Sequence, residues 1–297
     1  MGIAMAFARN GDVEIYFETF GLATDPALLM INGLGSQCVN YRVEMCERLA
    51  ASGYFVIRYD NRDVGLSSKM DESKFDVDDA DASSTNDRHG RHGYLLSDMA
   101  RDGLAVLDAL NVSRAHVMGA SMGGMIAQTM AIEYPERVLT LTSFMSTTGD
   151  PDVGQPSQRA GELLFGARST DRDSYVAFQL ECAKVWGSPA CFNEEFRTAI
   201  AQEAFDRNFC PAGVGRQLRA IRASGSRTVK LGALELPALV LHGDADTLIN
   251  ISGGRRTAGA IPGAKFVVIE GLGHDYPPQY WDQLIGLLET HLGGEQV

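Results

Sequence analysis

The amino-acid sequence predicts an α/β protein in which helices flank a mostly parallel sheet. Short apolar runs rich in β-branched residues recur along the chain and end at or near a glycine or an aspartate. Amphipathic stretches lie between them, an alternation typical of parallel strands joined by crossover helices. A long stretch without strand signals in the second half of the chain predicts an insertion into this sheet.

Composition and charge limit the function classes that fit the chain. Of its 297 residues, 45% are hydrophobic, which is enough for a large core. The net charge of -12 disfavours nucleic acids and anionic membrane surfaces, which both need a positive surface. The sequence shows no run near the roughly 20 apolar residues of a membrane span and no secretory signal. We therefore expect a cytoplasmic protein that acts on a neutral or apolar small molecule.

Five segments carry the strand pattern. They are Ala27–Ile31, Tyr54–Tyr59, Ala115–Met118, Ala238–Leu241 and Lys265–Ile269. Ahead of them, Asn10 and Gly11 separate two short alternating stretches, which predicts an antiparallel hairpin. The sheet is therefore expected to be mixed.

Helices are predicted between these strands. The segment Tyr94–Leu110 has apolar residues close to the 3.6-residue period of a helix. A second helix follows Ser121 and ends or turns near Pro135, and the last one covers Gln279–Leu292.

The stretch without strand signals runs from residue 150 to residue 236. Its helix-like segments include Asp171–Trp186, Asn193–Asn208 and Gly213–Ala223. The strand pattern resumes at Pro237 and still needs the earlier strands as partners. We therefore predict a helical cap, residues 150–236, inserted into a core formed by residues 1–149 and 237–297.

A second segment, Ser67–Gly93, is rich in Ser, Asp and Gly and poor in large apolar side chains. One interpretation is a solvated loop, because such a composition buries little surface. The other is a flap at the mouth of a site, because long loops in compact domains are often functional. The sequence leaves both open.

The strongest chemical signal is a GxSxG motif formed by Gly119, Ser121 and Gly123, directly between a predicted strand and a predicted helix. A serine on so sharp a turn is held in strained backbone geometry, and small flanking residues leave room for the strand and the helix. The motif predicts that the Ser121 hydroxyl is presented as a nucleophile.

A serine nucleophile needs an imidazole that accepts its proton and a carboxylate that orients the imidazole. In the expected order after the serine, Asp244 and Asp246 follow one predicted strand, and His274 follows the next. Both positions lie at carboxyl ends of strands, where open α/β sheets place their sites. Spacing alone leaves the choice between Asp244 and Asp246 open.

The reaction also needs two backbone donors for a developing oxyanion. One comes from the residue after the nucleophile, which is Met122, and the other from a loop after an earlier strand. Leu34 fits the second role, because the glycines on both sides of it allow the chain to turn its amides inward.

The remaining histidines and the cysteines give no sign of a metal site or a disulfide framework. His89, His92 and His291 are expected at the surface, and His116 in a structural role. His242 either lines the site or packs beneath the acid-bearing loop. The odd number of cysteines and the lack of a CxxC motif indicate buried or partly buried thiols. They are Cys38, Cys46, Cys182, Cys191 and Cys210.

At these motifs the chain resembles the α/β-hydrolase superfamily along nearly its full length. The segment Ile57–Ser67 (IRYDNRDVGLS) is similar to the family motif D-x-R-G-x-G-x-S, with Asp63 where glycine is common. With the segment ALLMINGLGS, this variant resembles aclacinomycin methylesterases and related carboxylesterases. The resemblance implies an eight-stranded sheet with a helical cap, structural roles for Asp60 and Arg62, and Asp246 as the acid. The chain departs from the family at Asn32, where many members have histidine.

The motifs and the resemblance together predict a serine hydrolase that needs no cofactor or metal. We expect hydrolysis of a carboxylic ester, or of a lactone or thioester, through an acyl-enzyme on Ser121. Cofactor-free perhydrolases and carbon–carbon bond hydrolases share the triad and stay open alternatives. Haloalkane dehalogenases and epoxide hydrolases are disfavoured because they use aspartate at the nucleophile position. A non-catalytic ligand receptor on this scaffold is a further alternative.

Overall fold

A computed structural model of the protein describes residues 4–71, 93–166 and 171–294. Its strands are β1 (Ala4–Asn10), β2 (Val13–Phe20), β3 (Ala27–Ile31), β4 (Phe55–Tyr59), β5 (Ala115–Ala120), β6 (Val138–Phe144), β7 (Ala238–Gly243) and β8 (Lys265–Ile269). They form one eight-stranded sheet in the order β1-β2-β4-β3-β5-β6-β7-β8. The predicted mixed, mostly parallel sheet is confirmed, because only the β1–β2 and β2–β4 pairs are antiparallel.

Helices lie between most consecutive strands. They are α1 (Val43–Ala51), α2 (Leu96–Ala109), α3 (Met122–Glu133), α4 (Gln158–Phe165), α5 (Arg172–Trp186), α6 (Glu194–Arg207), α7 (Pro211–Ser224), α8 (Thr228–Leu231), α9 (Ser252–Ala260) and α10 (Trp281–Leu292). Short 3₁₀ turns occupy Cys38–Asn40, Pro135–Arg137, Pro189–Cys191 and Pro278–Tyr280. Each helix predicted from the sequence is confirmed, with ends that move by one or two residues.

The predicted hairpin and the five predicted strands are present, but β6 was not among the segments located from the sequence. Its sequence VLTLTSF mixes polar and apolar residues, although the strand is almost entirely buried. Two of its three polar side chains have partners inside the fold: Thr140 Oγ1 lies 2.9 Å from Nδ1 of His116, and Ser143 accepts a hydrogen bond from Gln128. This partnering makes a polar strand stable in the centre of the sheet.

The two faces of the sheet carry separate cores. On β3, Leu29 and Ile31 pack with α2 and α3, whereas Leu28 and Met30 pack with α1 and α10. This alternation follows from the two-residue period of a strand, and burial on both faces explains why the strand reads as a continuous apolar run. The helices on both sides leave the carboxyl ends of the strands free to carry the loops that form the site.

Residues 150–236 leave the sheet between two strands that are neighbours in it. β6 pairs with β7 in parallel, with Leu141 beside Ala238. Helices α4 to α8 lie in this segment, and its described residues contribute no strand to the sheet. The segment can therefore pack over one edge of the sheet while the sheet itself continues.

Three further sequence predictions concern the segment Ser67–Gly93, membrane-spanning helices and the cysteines. Residues 72–92, with His89 and His92, lie outside the described residues, so both interpretations of Ser67–Gly93 stay predictions. No helix in the described ranges has the length and apolar character needed to cross a membrane. All five cysteines are free thiols, three of them buried and two partly exposed, as expected.

The prediction that His291 lies at the surface was wrong. The residue is on α10 with only 6% of its surface exposed, and its Nε2 lies 3.2 Å from the carbonyl oxygen of Leu141. Burial lowers the pKa of His291 from 6.5 to about 4, although the bond to Leu141 acts in the opposite direction. The residue looked exposed in the sequence because the strand that covers it, β6, is distant along the chain.

The burial of His291 makes folding stability depend on pH. Between pH 6.5 and about 4, His291 is protonated in the unfolded chain but stays neutral in the folded chain. The free energy of unfolding therefore decreases as the pH falls through this window. We expect His291→Gln, which retains a side-chain donor but does not titrate, to remove about 2 kcal/mol of the stability loss between about pH 7 and about pH 4.5. Urea unfolding of both proteins at the two pH values measures this; an unchanged pH dependence in the variant would contradict it.

Candidate active site

Ser121 occupies a sharp turn between β5 and α3. Its backbone has φ 57° and ψ −122°, an arrangement that is strained for a residue with a side chain. The turn is fixed from both sides, because Ser121 N donates to the carbonyl oxygen of Phe144 (2.9 Å) and Ser146 Oγ donates to the carbonyl oxygen of Ser121 (2.8 Å). The end of β6 and the residues that follow it therefore hold the serine in this conformation.

The two glycines of the motif lie where backbone segments pack too closely for a side chain. A Cβ atom on Gly119 would lie 1.9 Å from the carbonyl oxygen of Gly123, and one on Gly123 would lie 2.1 Å from the carbonyl oxygen of Ile31. No side chain fits at such distances without moving the backbone. The glycines thus allow the strand, the turn and the helix to pack as closely as the elbow needs.

His274 and Asp246 are brought together from the loops after β8 and β7. Nδ1 of His274 lies 2.7 Å from Oδ2 of Asp246, and Oδ1 of Asp246 accepts the amides of Leu248 and Ile249, both at 2.9 Å. Burial raises the pKa of Asp246, but the imidazoles of His274 and His242 outweigh it and hold the pKa at about 2. The carboxylate is therefore charged at neutral pH and fixes which nitrogen of His274 faces the cavity.

The structure separates the roles of the two neighbouring aspartates. Asp244 is exposed, and its Oδ1 accepts a hydrogen bond from Gly271 N (2.7 Å), so it braces the turn after β8. His242 is buried beneath the acid-bearing loop, with Nε2 2.7 Å from the carbonyl oxygen of Ile249 and 3.4 Å from Asp246 Oδ2. Of the two carboxylates that the sequence left open, Asp246 is the one that contacts His274.

Ser121 and His274 line the same cavity, which has a volume of about 550 Å³. No hydrogen bond joins the two side chains in the part of the chain that the structure describes. Such bonds are often long before substrate binds and shorten in the reactive complex. The shared cavity places both groups where one substrate can reach them.

The loop after β3 lies directly against Ser121. A Cβ atom on Gly33 would be 3.1 Å from Ser121 Cβ and 3.6 Å from Ser121 Oγ. Leu34 follows in this loop, and Met122 is the first residue of α3. Within the described ranges, neither of these two amides donates to a protein acceptor. Both are therefore free to donate to a group bound beside Ser121, and the positive end of the α3 dipole favours an anion there.

Asn32, where many family members have histidine, is buried behind this loop. Its carbonyl oxygen accepts a hydrogen bond from Asn61 (2.9 Å), and its Oδ1 accepts one from the Tyr276 hydroxyl (3.2 Å). Asn32 thus ties the loop to the segments around Asn61 and Tyr276, and the backbone donors of the loop do not depend on its side chain.

The family motif that follows β4 has a structural role. Asp60 accepts the amide of Cys38 (2.7 Å) and a hydrogen bond from Arg207 (2.6 Å), while Arg62 forms two bonds of 2.6 Å to buried Asp102. Burial of both ion pairs fixes the loop after β4 against the core and against α6.

Asp63, the departure from the family motif, takes the backbone conformation for which glycine is favoured, with φ 76°. Its buried carboxylate accepts two hydrogen bonds from Arg216 on α7 (2.9 and 2.8 Å) and one from the Tyr94 hydroxyl (2.7 Å). These charge-assisted bonds offset the cost of the left-handed backbone.

The cavity is covered largely by the inserted segment. Aromatic side chains from α5 to the α6–α7 connection line it: Tyr175, Phe178, Trp186, Phe196 and Phe209. The sheet domain adds Met122, Met125 and Met145. The arrangement can enclose a bulky apolar molecule against Ser121.

Sequence reasoning missed contacts through which the inserted segment holds the site. Asp275, next to His274, accepts bonds from Ser188 and Arg197, and Ser188 Oγ accepts the amide of Gly273 (2.9 Å). Gln217 on α7 binds the loop that carries Leu34. An aspartate directly after the candidate histidine was a visible signal; nothing in the sequence around Gln217 distinguishes it from other polar helix residues.

The sheet order, the insertion between β6 and β7 and the serine elbow define an α/β-hydrolase fold. The chain belongs to the alpha/beta hydrolase fold family, which it matches over residues 26–276. Two relatives are similar along nearly the whole chain. The rhodomycin D methylesterase DnrP of Streptomyces peucetius is 29% identical over 95% of this chain and 96% of its own. The rhodomycin D methylesterase DauP of another Streptomyces is 30% identical over 94% of this chain and 95% of its own.

Other comparisons extend this picture. The 3-oxoadipate enol-lactonase 2 of Acinetobacter baylyi is 32% identical over 42% of this chain and 39% of its own. A hydrolase from Pseudomonas aeruginosa superposes with a TM-score of 0.73 at 23% identity, covering 98% of each chain. A meta-cleavage product hydrolase from Pseudomonas fluorescens superposes with a TM-score of 0.76 at 18% identity, covering 97% of each chain. The predicted fold and the resemblance to methylesterases are confirmed.

Proposed function

We propose that the protein hydrolyses carboxylic esters through an acyl-enzyme on Ser121. The observation that carries the proposal is that Ser121, on its strained turn, and His274, bonded to Asp246, line one cavity. The two methylesterase relatives support an ester as substrate. The partial similarity to an enol-lactonase supports a lactone as a second substrate type.

Acylation begins when Ser121 Oγ attacks the carbonyl carbon of the ester. His274 accepts the hydroxyl proton on Nε2, because Nδ1 is held by Asp246. The carbonyl oxygen becomes an oxyanion, and the Leu34 and Met122 amides stabilise it. When the tetrahedral intermediate collapses, the C–O bond to the alcohol breaks, and the alcohol leaves with the proton from His274.

Deacylation repeats these steps with water in place of the serine. His274 takes a proton from water, the hydroxide oxygen bonds to the acyl carbon, and the ester bond to Ser121 breaks as the serine recovers its proton. Asp246, whose pKa lies at about 2, stays ionised and stabilises the imidazolium formed in each half-reaction. The products are a carboxylic acid and an alcohol.

The cavity supports a small-molecule, largely apolar substrate. Three arginines line it, and each has a partner in the protein: Arg42 pairs with Glu203, Arg197 pairs with Asp275, and Arg222 lies over the ring of Phe165. The remaining lining is rich in aromatic rings and methionines. We propose that residues 150–236 act as a cap that encloses this substrate.

A substrate panel tests the proposed function. Initial rates are compared for p-nitrophenyl and methyl esters of small and bulky apolar acids, for lactones, thioesters and a meta-cleavage product, and for perhydrolysis. We expect the highest kcat/KM with esters of bulky apolar acids. Turnover of the meta-cleavage product or perhydrolysis above all esters would overturn the proposal, and binding without turnover of any compound would indicate a receptor.

Truncation of a cavity aromatic in the cap should change substrate ranking. Phe178→Ala enlarges the cavity, so we expect it to lower kcat/KM for bulky apolar esters by about tenfold and to leave the smallest ester within about twofold, since a lost apolar contact is worth about 1–3 kcal/mol. Phe192→Ala is the matched control, because Phe192 lies in the same segment but not in the cavity lining. An identical ranking in Phe178→Ala and wild type would count against the cap proposal.

A further inference from the structure

A buried glutamine of the cap segment joins two loops of the core. Gln217 on α7 is fully buried, its Oε1 accepts the amide of Gly35 at 2.8 Å, and its Nε2 donates to the carbonyl oxygen of Arg62 at 2.9 Å. These partners are 182 and 155 residues away in sequence. Val214, one helical turn earlier, packs against the same glycine, since a Cβ on Gly35 would lie 3.0 Å from Val214 Cγ2.

The glutamine bonds to the centre of a tight turn. Ser36 N donates to the carbonyl oxygen of Gly33 at 3.2 Å, which closes a β-turn over residues 33–36. Gly35, the third residue, has φ 65°, as a type II turn requires. The Leu34–Gly35 peptide unit is the one whose flip separates type II turns from type I turns. Gln217 accepts the N–H of this unit and so fixes its direction.

The position of this turn determines where the Leu34 amide lies. The carbonyl group of Gly33 and the N–H of Leu34 belong to one trans peptide, so they point in opposite directions. Because the carbonyl of Gly33 is held by Ser36, the N–H of Leu34 faces away from the turn. The Leu34 N–H therefore moves only with the turn as a whole, and the bond from Gly35 to Gln217 ties this turn to α7. An oxyanion donor must lie within about 2.7–3.1 Å of the developing charge to act.

We propose that Gln217 is a positioning residue for the oxyanion hole: it anchors the 33–36 turn to α7 and to the loop after β4, and so keeps the Leu34 amide beside Ser121. The cap thereby stabilises the transition state and not only the substrate. This proposal rests on the proposed function, since it needs an oxyanion beside Ser121. Gln217 does not touch the substrate and acts through Gly35.

The test compares inhibitors that differ only in their need for the oxyanion hole. A trifluoromethyl ketone forms a hemiketal with an active-site serine and places an oxyanion in the hole, whereas the matched methyl ketone binds mainly as a neutral ground-state analogue. For Gln217→Met, which keeps the side-chain length but loses both bonds, we expect kcat to fall about 10- to 100-fold with KM within about threefold. Loss of a whole oxyanion donor costs about 10²–10³. Ki of the trifluoromethyl ketone should rise in proportion to the loss of kcat/KM, and Ki of the methyl ketone should not change.

Two further variants separate positioning from stability. Gln217→Glu keeps an acceptor for the Gly35 amide but cannot donate to Arg62 when ionised, so it should retain more kcat than Gln217→Met even where it is less stable. Arg216→Met, on the adjacent buried residue, breaks the bonds to Asp63 and should lower stability without a selective loss of trifluoromethyl ketone binding. Gln217→Asn, too short to reach Gly35, replaces the methionine variant if that protein does not fold.

The outcomes distinguish the two proposals. If wild type hydrolyses esters and binds the trifluoromethyl ketone more tightly than the methyl ketone, the proposed function stands. The role of Gln217 is then overturned by any of three results. Gln217→Met keeps wild-type kcat, or its Ki rises equally for both ketones, or the kcat values of the variants simply follow their stabilities. If wild type neither turns over esters nor prefers the trifluoromethyl ketone, the proposed function itself fails.

Discussion

Ser121→Ala is expected to abolish ester hydrolysis and leave the chain folded. The substitution removes the attacking oxygen, and loss of a serine nucleophile lowers kcat by about 10⁴-fold or more in comparable enzymes. The backbone turn is held by Phe144 and Ser146, and alanine meets the same backbone strain as serine. The melting temperature should therefore stay close to that of wild type. Initial rates with an activated ester and a thermal melt measure both effects.

A serine elsewhere in the buried fold provides the control. Ser143 on β6 is buried, with 1% of its surface exposed, and bonds to Gln128, but it does not line the cavity. Ser143→Ala should retain turnover and lose some stability, because a buried hydrogen bond is removed. Near wild-type hydrolysis by Ser121→Ala would show that the nucleophile lies elsewhere.

Asp246→Asn is expected to lower kcat by about 10³ to 10⁴ with little change in substrate binding. An asparagine in this position presents an amide that can donate to Nδ1 of His274, which favours the wrong tautomer for proton acceptance from Ser121. The Leu248 and Ile249 amides still find an acceptor in the asparagine oxygen, so the loop should keep its shape. Steady-state kinetics on one activated ester gives kcat and KM separately.

Asp244→Asn is the matched comparison, two residues away on the same loop. Asp244 is exposed and bonds to the amide of Gly271, so its replacement should affect the stability of the turn and cost far less in rate. A collapse of kcat in Asp244→Asn together with nearly intact kcat in Asp246→Asn would reverse the assignment of the acid. It would leave the roles proposed for Ser121 and His274 unchanged.

Much of the fold could be predicted from local pattern. The parallel strands are mostly apolar runs, and the helices show their period, so buried β3 and edge strand β8 were both located to the residue. β6 was missed because its buried Thr140 and Ser143 look like residues of a polar loop until their partners His116 and Gln128 are known. Burial of His291 was missed for the same reason, since the residue lies beneath a strand far away in sequence.

The residues of the candidate site that belong to sequence motifs could be predicted. Ser121, Asp246 and His274 follow strands in a fixed order, and the structure brings Asp246 and His274 into contact. The choice of Asp246 over Asp244 needed the family resemblance. The two aspartates lie on the same loop, and the sequence does not show which of the two side chains points towards His274. Their directions are set by the amides of the loops after β7 and β8, which no local pattern reveals.

Contacts between the inserted segment and the core could not be predicted. Asp63 tolerates a left-handed backbone because Arg216, 153 residues later, bonds to its carboxylate, and Asp60 receives Arg207 over 147 residues. Nothing in the sequence of α6 or α7 distinguishes these arginines from other polar helix residues. Only the packed structure shows that α6 and α7 bind the loops around the site, so the shape of the cavity depends on long-range contacts.

Mapping of a covalent adduct tests the central claim most directly. A fluorophosphonate reacts with an activated serine to give a stable phosphonyl ester, and digestion followed by peptide mass spectrometry locates the modified residue. The account predicts one adduct per chain, on the peptide that contains Ser121, with ester turnover lost in step with labelling. An adduct on a different residue, or a chain that hydrolyses esters yet takes no label on Ser121, would contradict it.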